Sequence, residues 1–159
     1  MNIAEIRLAY SQAITDKTFS QLHKNLEVAE VTDTDRPVWM AYLATTEANL
    51  AKDAWLPTAK LGHLNKAMEL FKQAIDAAGT DPEIRMLRIL VDQAVPAFLG
   101  YPNHGMADKA IILNNLNLIP AKNLDAALFE NIVNYLEKTG LFNLEEMEAL
   151  KGAYNNALA

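Results

Sequence analysis

The sequence predicts an all-α protein of about eight helices, arranged as a single helical domain over residues 1–159. The chain contains 25 Ala and 22 Leu but only 6 Val, a composition that favours helices over strands. Its apolar residues recur every three or four positions, as on one face of a helix, and no segment sustains the alternation of a strand. Six prolines and six glycines fall mostly between these segments, where they indicate helix boundaries.

The first four helices follow from apolar stripes in the first 80 residues. Two short stripes precede Asp35, which is a plausible N-cap for a third helix. The fourth stripe is long and regular, and it begins at Leu61. The four stripes consist of Ile3, Ile6, Tyr10 and Ala13; Phe19, Leu22, Leu26 and Ala29; Trp39, Leu43, Thr46 and Leu50; and Leu61, Leu64, Met68, Phe71 and Ile75.

Four more helices are predicted in the second half of the chain. Asp81 and Pro82 suit the N-cap and first position of a fifth helix, which is apolar nearly all round and should be the most buried. Pro96 lacks an N–H donor, so this helix should kink or end near it. Asn143 and Glu146 form a capping-box pattern for the last helix. The sixth helix is a weaker segment over 107–118. The apolar positions of the fifth, seventh and eighth helices are, in turn, Ile84, Leu87, Val91, Val95 and Phe98; Leu124, Leu128, Ile132 and Leu136; and Leu144, Met147, Leu150 and Tyr154.

The composition excludes several classes of protein. With 14 Lys and Arg against 20 Asp and Glu, the net charge is −6, which does not suit binding to nucleic acid or to an anionic membrane. The absence of cysteine excludes disulfides and thiolate metal sites. No apolar run approaches the roughly 20 residues of a transmembrane helix, and residues 1–7 lack the features of a signal peptide. We therefore expect a cytoplasmic protein without nucleic-acid or membrane partners.

Residues 39–82 resemble a tetratricopeptide-type helical hairpin. Ala67, Phe71 and Ala74 have the small, large, small spacing by which the helices of such repeats pack, and Asp81-Pro82 follows. The link from Asp53 to Lys60 is longer than the tight turn of the repeat, and no second copy occurs at its period of about 34 residues. The resemblance implies antiparallel helical hairpins that stack on one another and bind a protein or peptide segment between helices.

A second resemblance covers residues 54–108. Its residues are Trp55-Leu56-Pro57, Lys60-Leu61, Glu83 to Arg88, Pro96 to Tyr101 and Asp108-Lys109. These segments are similar to a family of small bacterial helical proteins without assigned activity. That resemblance implies a tetratricopeptide-like fold and no particular reaction.

Two arginines are the most informative charges in the sequence. Arg88 lies on the apolar stripe of the fifth helix, and an unpaired charge buried there costs several kcal/mol. We therefore expect Arg88 to hold a carboxylate between helices. The candidate partners are Glu47, Asp92 and Asp108, with Glu47 as the first choice and Asp108 as the second. The alternative is that Arg85 and Arg88 form a cationic floor for the carboxylate of a bound peptide.

The three histidines show no pattern typical of a metal site. His23, His63 and His104 lie on separate segments, without the His-x-x-x-His or Glu-x-x-His spacing that brings two ligands to one helix face. Surface or partly buried histidines are the more common explanation. A glycine-rich phosphate loop and a nucleophile elbow are also absent from the sequence. We therefore predict no catalytic residue, no cofactor, and no binding of zinc, magnesium or ATP.

The tryptophans and the loops favour structural interpretations. Trp39 and Trp55 are interpreted as packing anchors, since no basic residues interleave with them as a nucleic-acid surface requires. The loops around Trp55 and Tyr101 combine aromatic with turn residues, and such loops can carry recognition. Lys122 is expected in a loop, so its replacement by alanine should change stability by no more than about 0.5 kcal/mol.

Three classes of function are compatible with these patterns. The first is a non-catalytic helical scaffold that binds a protein or peptide segment, as a monomer or a homodimer. The second is an enzyme with a dispersed polar site around Arg85, Arg88, His104 and Asp108. The third is a purely structural, self-associating module. The hairpin resemblance and the lack of a catalytic motif favour the scaffold, so we predict that the protein is not an enzyme.

Overall fold

The computed structural model describes residues 1–158, and the side-chain surroundings of residues 1–155. Within this range the chain forms eight α-helices, three single-turn 3₁₀ helices and no strand, which confirms the predicted all-α fold. None of the described helices combines the length and apolar character needed to cross a membrane. The chain divides into two compact units, residues 1–79 and 80–159, a division that the prediction of a single domain did not include.

The first unit is built around a long helical hairpin. Helices α3 and α4 pack against each other along their lengths, α2 packs against α3, and α1 contacts both α2 and α3. Only residues 54–56 separate α3 from α4, so the link is shorter than the predicted one because α4 already begins at Pro57. The four helices are α1 (Ile3–Asp16), α2 (Phe19–Glu27), α3 (Arg36–Asp53) and α4 (Pro57–Ala77).

The inner face of α4 carries the residues on which the hairpin resemblance depends. Ala67, Phe71 and Ala74 are all buried. The two alanines allow close approach of the neighbouring helix, and the phenylalanine ring fills the space between them. These three residues therefore lie on the packed face of α4, while the resemblance to tetratricopeptide repeats and the stacking of hairpins stay predictions.

The second unit is organised around a short, strongly buried helix. Helix α5 packs against α6 and α7, and α8 packs against both of these and against two of the 3₁₀ turns. The helices are α5 (Pro82–Ala94), α6 (Gly105–Asn114), α7 (Ala126–Thr139) and α8 (Leu144–Leu158), and the 3₁₀ turns are Ala97–Leu99, Leu116–Leu118 and Pro120–Lys122.

The predicted beginning and end of α5 are confirmed. The Asp81 side chain accepts a hydrogen bond from the Glu83 backbone N–H at 2.9 Å, and the helix ends at Ala94, two residues before Pro96. Nine of its thirteen residues are buried, against ten of eighteen in α3, as expected for a helix enclosed by others. Phe98 is the exception to the predicted stripe. Because the helix ends before it, Phe98 lies in a 3₁₀ turn and is 86% exposed.

The capping box of α8 is also confirmed. The Asn143 side chain accepts from the Glu146 N–H at 2.8 Å, while the Glu146 carboxylate accepts from the Asn143 N–H at 2.9 Å. This reciprocal pair satisfies two N–H groups that lack a partner within the helix. Sequence spacing alone was sufficient here, because both partners belong to the same turn.

Candidate functional site

The first unit contains five ionisable side chains gathered around Glu47 of α3, here called the Glu47 cluster. The others are His23 and Glu27 of α2, and His63 and Lys66 of α4. The two α2 residues are four positions apart and the two α4 residues three apart, so each pair shares one face of its helix. Packing of α2 and α4 against α3 turns both faces towards Glu47, which is only 1% exposed.

Both carboxylate oxygens of Glu47 have partners within the cluster. Oε2 accepts a hydrogen bond from His63 Nδ1 at 2.7 Å. Oε1 lies 2.8 Å from Lys66 Nζ and 3.3 Å from His23 Nε2. Oε1 of Glu27 lies 3.2 Å from the same imidazole nitrogen and 3.5 Å from Lys66 Nζ. Two carboxylates therefore share one imidazole nitrogen and one ammonium group.

A hydrogen bond to Thr46 orients the His23 ring through its nitrogen Nδ1. The Thr46 hydroxyl donates its single proton to the backbone carbonyl of Leu43 at 2.7 Å. Its oxygen therefore accepts a hydrogen bond from His23 Nδ1, 3.0 Å away. With the hydroxyl proton assigned to Leu43 in this way, the proton between the two groups belongs to Nδ1, and the other nitrogen, Nε2, faces the carboxylates of Glu27 and Glu47.

Neighbouring donors hold the pKa of Glu47 below its ordinary value of 4.5. Burial is the largest single influence and raises that pKa, but hydrogen bonds from Lys66 and His63 and the charge of His23 together outweigh it. The hydrogen bond to Glu47 is the main influence on Lys66 and raises its pKa above 10.5, although desolvation opposes this. A lysine that keeps its proton this firmly is poorly suited to act as a nucleophile.

These two shifts predict that the stability contributed by the Glu47 cluster is lost at both ends of the pH range. A lowered carboxylate pKa gives stability that is full above the unfolded value of about 4.3 and is lost as the pH falls through the folded value. The raised pKa of Lys66 gives stability that is full below about 10.4 and is lost as the pH rises through its folded value.

Urea unfolding of the wild type and of Glu47→Gln checks the acidic limb. The stability advantage of the wild type should shrink as the pH falls from about 5 to about 3, because only the wild type must protonate Glu47. Glu69→Gln is the control, because it changes an exposed position of α4. The difference in free energy of unfolding between the wild type and Glu69→Gln should not change over the same pH interval. An advantage of the wild type over Glu47→Gln that stays constant across this interval would contradict the lowered pKa.

The second unit contains a buried pair of arginines that share one carboxylate. Asp108 of α6 is fully buried and accepts hydrogen bonds from Arg88 Nε and Nη2 of α5 at 2.8 and 2.7 Å. Arg85, one turn before Arg88, donates from Nη1 to the same carboxylate at 2.9 Å. Charge-assisted bonds of this two-pronged kind are short and directional, so they fix α5 against α6.

The structure confirms Asp108 as the partner of Arg88 and shows that the first choice, Glu47, was wrong. Glu47 is satisfied by His63 and Lys66 of its own unit. The N–H groups of Arg85 and Arg88 that donate to Asp108 cannot at the same time bind the carboxylate of a peptide, as the alternative of a cationic floor requires. A charge on an apolar stripe indicates that a partner is needed, but the stripe carries no information about which distant acid supplies it.

His104, the fourth member of the dispersed polar site, is held by another acid. Oδ2 of Asp92 accepts hydrogen bonds from the backbone N–H of His104 at 3.0 Å and from its ring Nδ1 at 2.9 Å. Oδ1 of Asp92 is buried and has no hydrogen-bond partner among the described residues. The structure thus brings Arg85, Arg88 and Asp108 together, while the His104 ring is anchored separately by Asp92.

Lys122 lies in a 3₁₀ turn and pairs with two acidic side chains. Its ammonium group lies 2.7 Å from Asp81 Oδ2 and 3.2 Å from an oxygen of Glu83, whose side chain is fully buried. The Lys122 side chain is only 14% exposed. The 3₁₀ turn at 120–122 brings this side chain to the beginning of α5, and the small stability effect of Lys122→Ala stays a prediction.

The two tryptophans have opposite environments. Trp39 is half-buried and donates from its indole nitrogen to the Leu26 carbonyl at 3.0 Å, as suits a packing anchor. Trp55 is 92% exposed, so the anchor interpretation is wrong for this residue. Leu56 and Leu61, which follow in the link and in the early part of α4, are also exposed. We call Trp55, Leu56 and Leu61 the Trp55 surface.

The mixed spacing within the Glu47 cluster explains why sequence analysis missed it. The spacings His-x-x-x-His and Glu-x-x-His, which are typical of metal-binding helices, do not occur in this sequence. His23 and Glu27 follow the spacing His-x-x-x-Glu, which also brings two ligand-type side chains to one helix face. That signal was present in the sequence, whereas the approach of Glu47 and His63 depends on how the helices pack.

Comparison with known proteins identifies no relative of this chain. No protein-family model matches it, and no significant match was found among curated proteins or solved structures. The resemblances to tetratricopeptide hairpins and to small bacterial helical proteins therefore stay predictions. Function has to be argued from the residues themselves.

Proposed function

We propose that this protein is a non-catalytic, cytoplasmic helical scaffold that binds an apolar segment of another protein through the Trp55 surface. The observation that carries the proposal is the exposure of Trp55, the most exposed of the large apolar side chains described. Tryptophan is enriched among the few interface residues that supply most of the binding energy. Leu56, the next residue, and Leu61, six positions after Trp55 in α4, are also exposed and add apolar area that a partner can cover.

The backbone around Trp55 is held in place before any partner binds. The Lys60 ammonium donates hydrogen bonds to the carbonyls of Ala51 and Lys52, both at 3.1 Å. These bonds tie the first turn of α4 to the end of α3 across the three-residue link. A preorganised loop loses little conformational entropy on binding, so more of the contact energy contributes to affinity.

The charges near Trp55 favour an apolar rather than a charged partner segment. Lys52 and Asp53 are both exposed and have opposite signs, so the end of α3 presents no field of one sign. Contact between apolar side chains is then the main source of affinity. A helix or extended segment with an apolar face is the partner chemistry that fits, and a second copy of the chain is an alternative outcome of the test.

A photoreactive amino acid at the exposed position 52, irradiated in extracts of the native host, should identify the partner because it leaves Trp55 in place. Once this partner is purified, Trp55→Ser should weaken its binding to the scaffold by about 30-fold, the equivalent of a 2 kcal/mol hot spot. Val28→Ser is the matched control, since Val28 is another strongly exposed apolar residue of the first unit and should leave the affinity unchanged.

Two results would overturn this proposal. One is an equal loss of affinity in both variants, and the other is full affinity in Trp55→Ser. A crosslink formed only between two copies of the chain would replace the scaffold with self-association. Circular dichroism of both variants checks that the helical fold is retained, as expected for changes at exposed positions.

A further inference from the structure

We infer that the Glu47 cluster binds a divalent metal ion, with zinc as the best fit, through His23 Nε2 and one oxygen each of Glu27 and Glu47. This inference is independent of the Trp55 surface. It replaces the prediction, drawn from histidine spacing, that the protein does not bind zinc. Three features of the cluster support it: the spacing of the ligand atoms, the orientation of the His23 ring and the hydrogen bonding of Glu47.

The ligand atoms have the spacing of a metal site. One atom from each of the three residues lies within 4.8 Å of the other two. His23 Nε2 lies 3.2 Å from Glu27 Oε1 and 3.3 Å from Glu47 Oε1. In a tetrahedral zinc site with bonds of about 2.0–2.1 Å, neighbouring ligand atoms are about 3.3–3.4 Å apart. Both imidazole–carboxylate distances therefore suit an ion placed between the groups.

The ring of His23 is oriented as a metal ligand requires. Since Thr46 accepts the Nδ1 proton, a neutral His23 has its lone pair on Nε2, directed towards two carboxylates. Such an arrangement is repulsive unless a proton or a metal ion lies between the groups. Ligating histidines typically donate their other ring N–H to a neighbouring oxygen, which fixes the tautomer.

Glu47, like His23, is oriented by a hydrogen bond to its non-ligating atom. His63 donates to its Oε2 at 2.7 Å, which holds the carboxylate and leaves Oε1 directed towards His23. Hydrogen bonding of the non-ligating oxygen is common for metal-bound carboxylates. Two of the three ligands thus have a supporting partner of their own.

Lys66 is the competitor for this site. Its ammonium nitrogen, Nζ, contacts the two carboxylate oxygens that would bind the metal. It lies 2.8 Å from Glu47 Oε1 and 3.5 Å from Glu27 Oε1. About half of the Lys66 side chain is exposed, as is nearly half of Glu27, so both can move and the site is open to solvent. When Lys66 swings outward, two carboxylates balance the charge of a dication and water can take the vacated position.

The ligand set favours zinc over harder cations. Magnesium and calcium prefer sites made only of oxygen, and magnesium also requires near-octahedral geometry. An imidazole combined with carboxylates suits zinc and its spectroscopic substitute cobalt. Zinc additionally accepts four ligands, which matches three protein atoms and one water molecule.

Calorimetric titration with Zn²⁺ and absorption titration with Co²⁺ test the site in the intact protein. The wild type should bind one ion per chain, and Lys66→Met should bind it about tenfold more tightly, because the competing ammonium is removed. Thr46→Val should weaken binding by about 10- to 100-fold. Glu27→Gln, a change in a half-exposed side chain with little risk to folding, should abolish the cobalt spectrum.

Control variants separate this site from adventitious surface binding. Glu69→Gln removes an exposed carboxylate of α4, and His104→Gln removes a histidine of the second unit. Both should bind zinc as the wild type does. Retention of one zinc by Glu27→Gln would overturn the inference, as would the absence of binding in the wild type. Binding by Lys66→Met alone would also overturn it, because Lys66 would then be the permanent cation of the cluster.

Discussion

Replacement of Asp108 by alanine should lower the free energy of unfolding by about 3–5 kcal/mol. Asp108 is fully buried and is the shared partner of Arg85 and Arg88, whose side chains are themselves largely buried. An arginine cannot release its proton to escape an apolar environment. Removal of the carboxylate therefore takes two hydrogen bonds from the buried guanidinium of Arg88 and one from Arg85.

Urea unfolding at neutral pH measures this effect, with an exposed ion pair of the same unit as its control. Glu137 pairs with Lys151 near the surface, so Glu137→Ala should change stability by no more than about 1 kcal/mol. A double-mutant cycle with Arg88→Met and Asp108→Ala isolates the coupling between the two side chains. A coupling below about 0.5 kcal/mol would show that the pair does not fix α5 against α6.

Replacement of Leu87 by alanine should cost about 2–5 kcal/mol. Leu87 is fully buried in α5, the helix that packs against both α6 and α7. Truncation removes apolar surface from the core and leaves a cavity that the neighbouring helices can close only in part. The loss should be near the upper end of the interval if the surrounding helices do not relax.

Leu144→Ala is a matched control, since it is the same substitution in the same unit. Leu144 is 84% exposed at the beginning of α8, and alanine is a good helix former there. Its unfolding midpoint should stay close to that of the wild type, while that of Leu87→Ala falls. Equal midpoints for the two variants would contradict the central position of α5.

The helices could be predicted because their signals are local. Apolar side chains at helical spacing mark one buried face, and a cap such as Asp81 acts within two or three residues of itself. Pro96 marked the end of α5 for the same reason, since its missing N–H affects only the preceding turn. The beginning and end of α5 therefore required no knowledge of tertiary packing, whereas Leu61 and Leu144 lie on predicted apolar stripes and are exposed.

The candidate sites could be predicted only in part because they depend on contacts between distant segments. The stripe containing Arg88 indicated a buried charge, but the choice between Glu47 and Asp108 depended on the packing of helices. Trp55 has an apolar side chain like any core residue, and its exposure follows from the three-residue link that places it outside the hairpin. His63 approaches Glu47 only because α4 packs against α3.

The most direct test of the proposed metal site is to measure which nitrogen of the His23 ring carries a proton. Nitrogen-15 NMR of the imidazole at about pH 8 distinguishes a protonated from an unprotonated or metal-bound nitrogen. We predict that Nδ1 carries its proton with and without zinc, held by Thr46, and that the Nε2 resonance shifts when one equivalent of zinc is added. A proton on Nε2 in the presence of zinc, or resonances of both nitrogens that do not respond to zinc, would contradict the site.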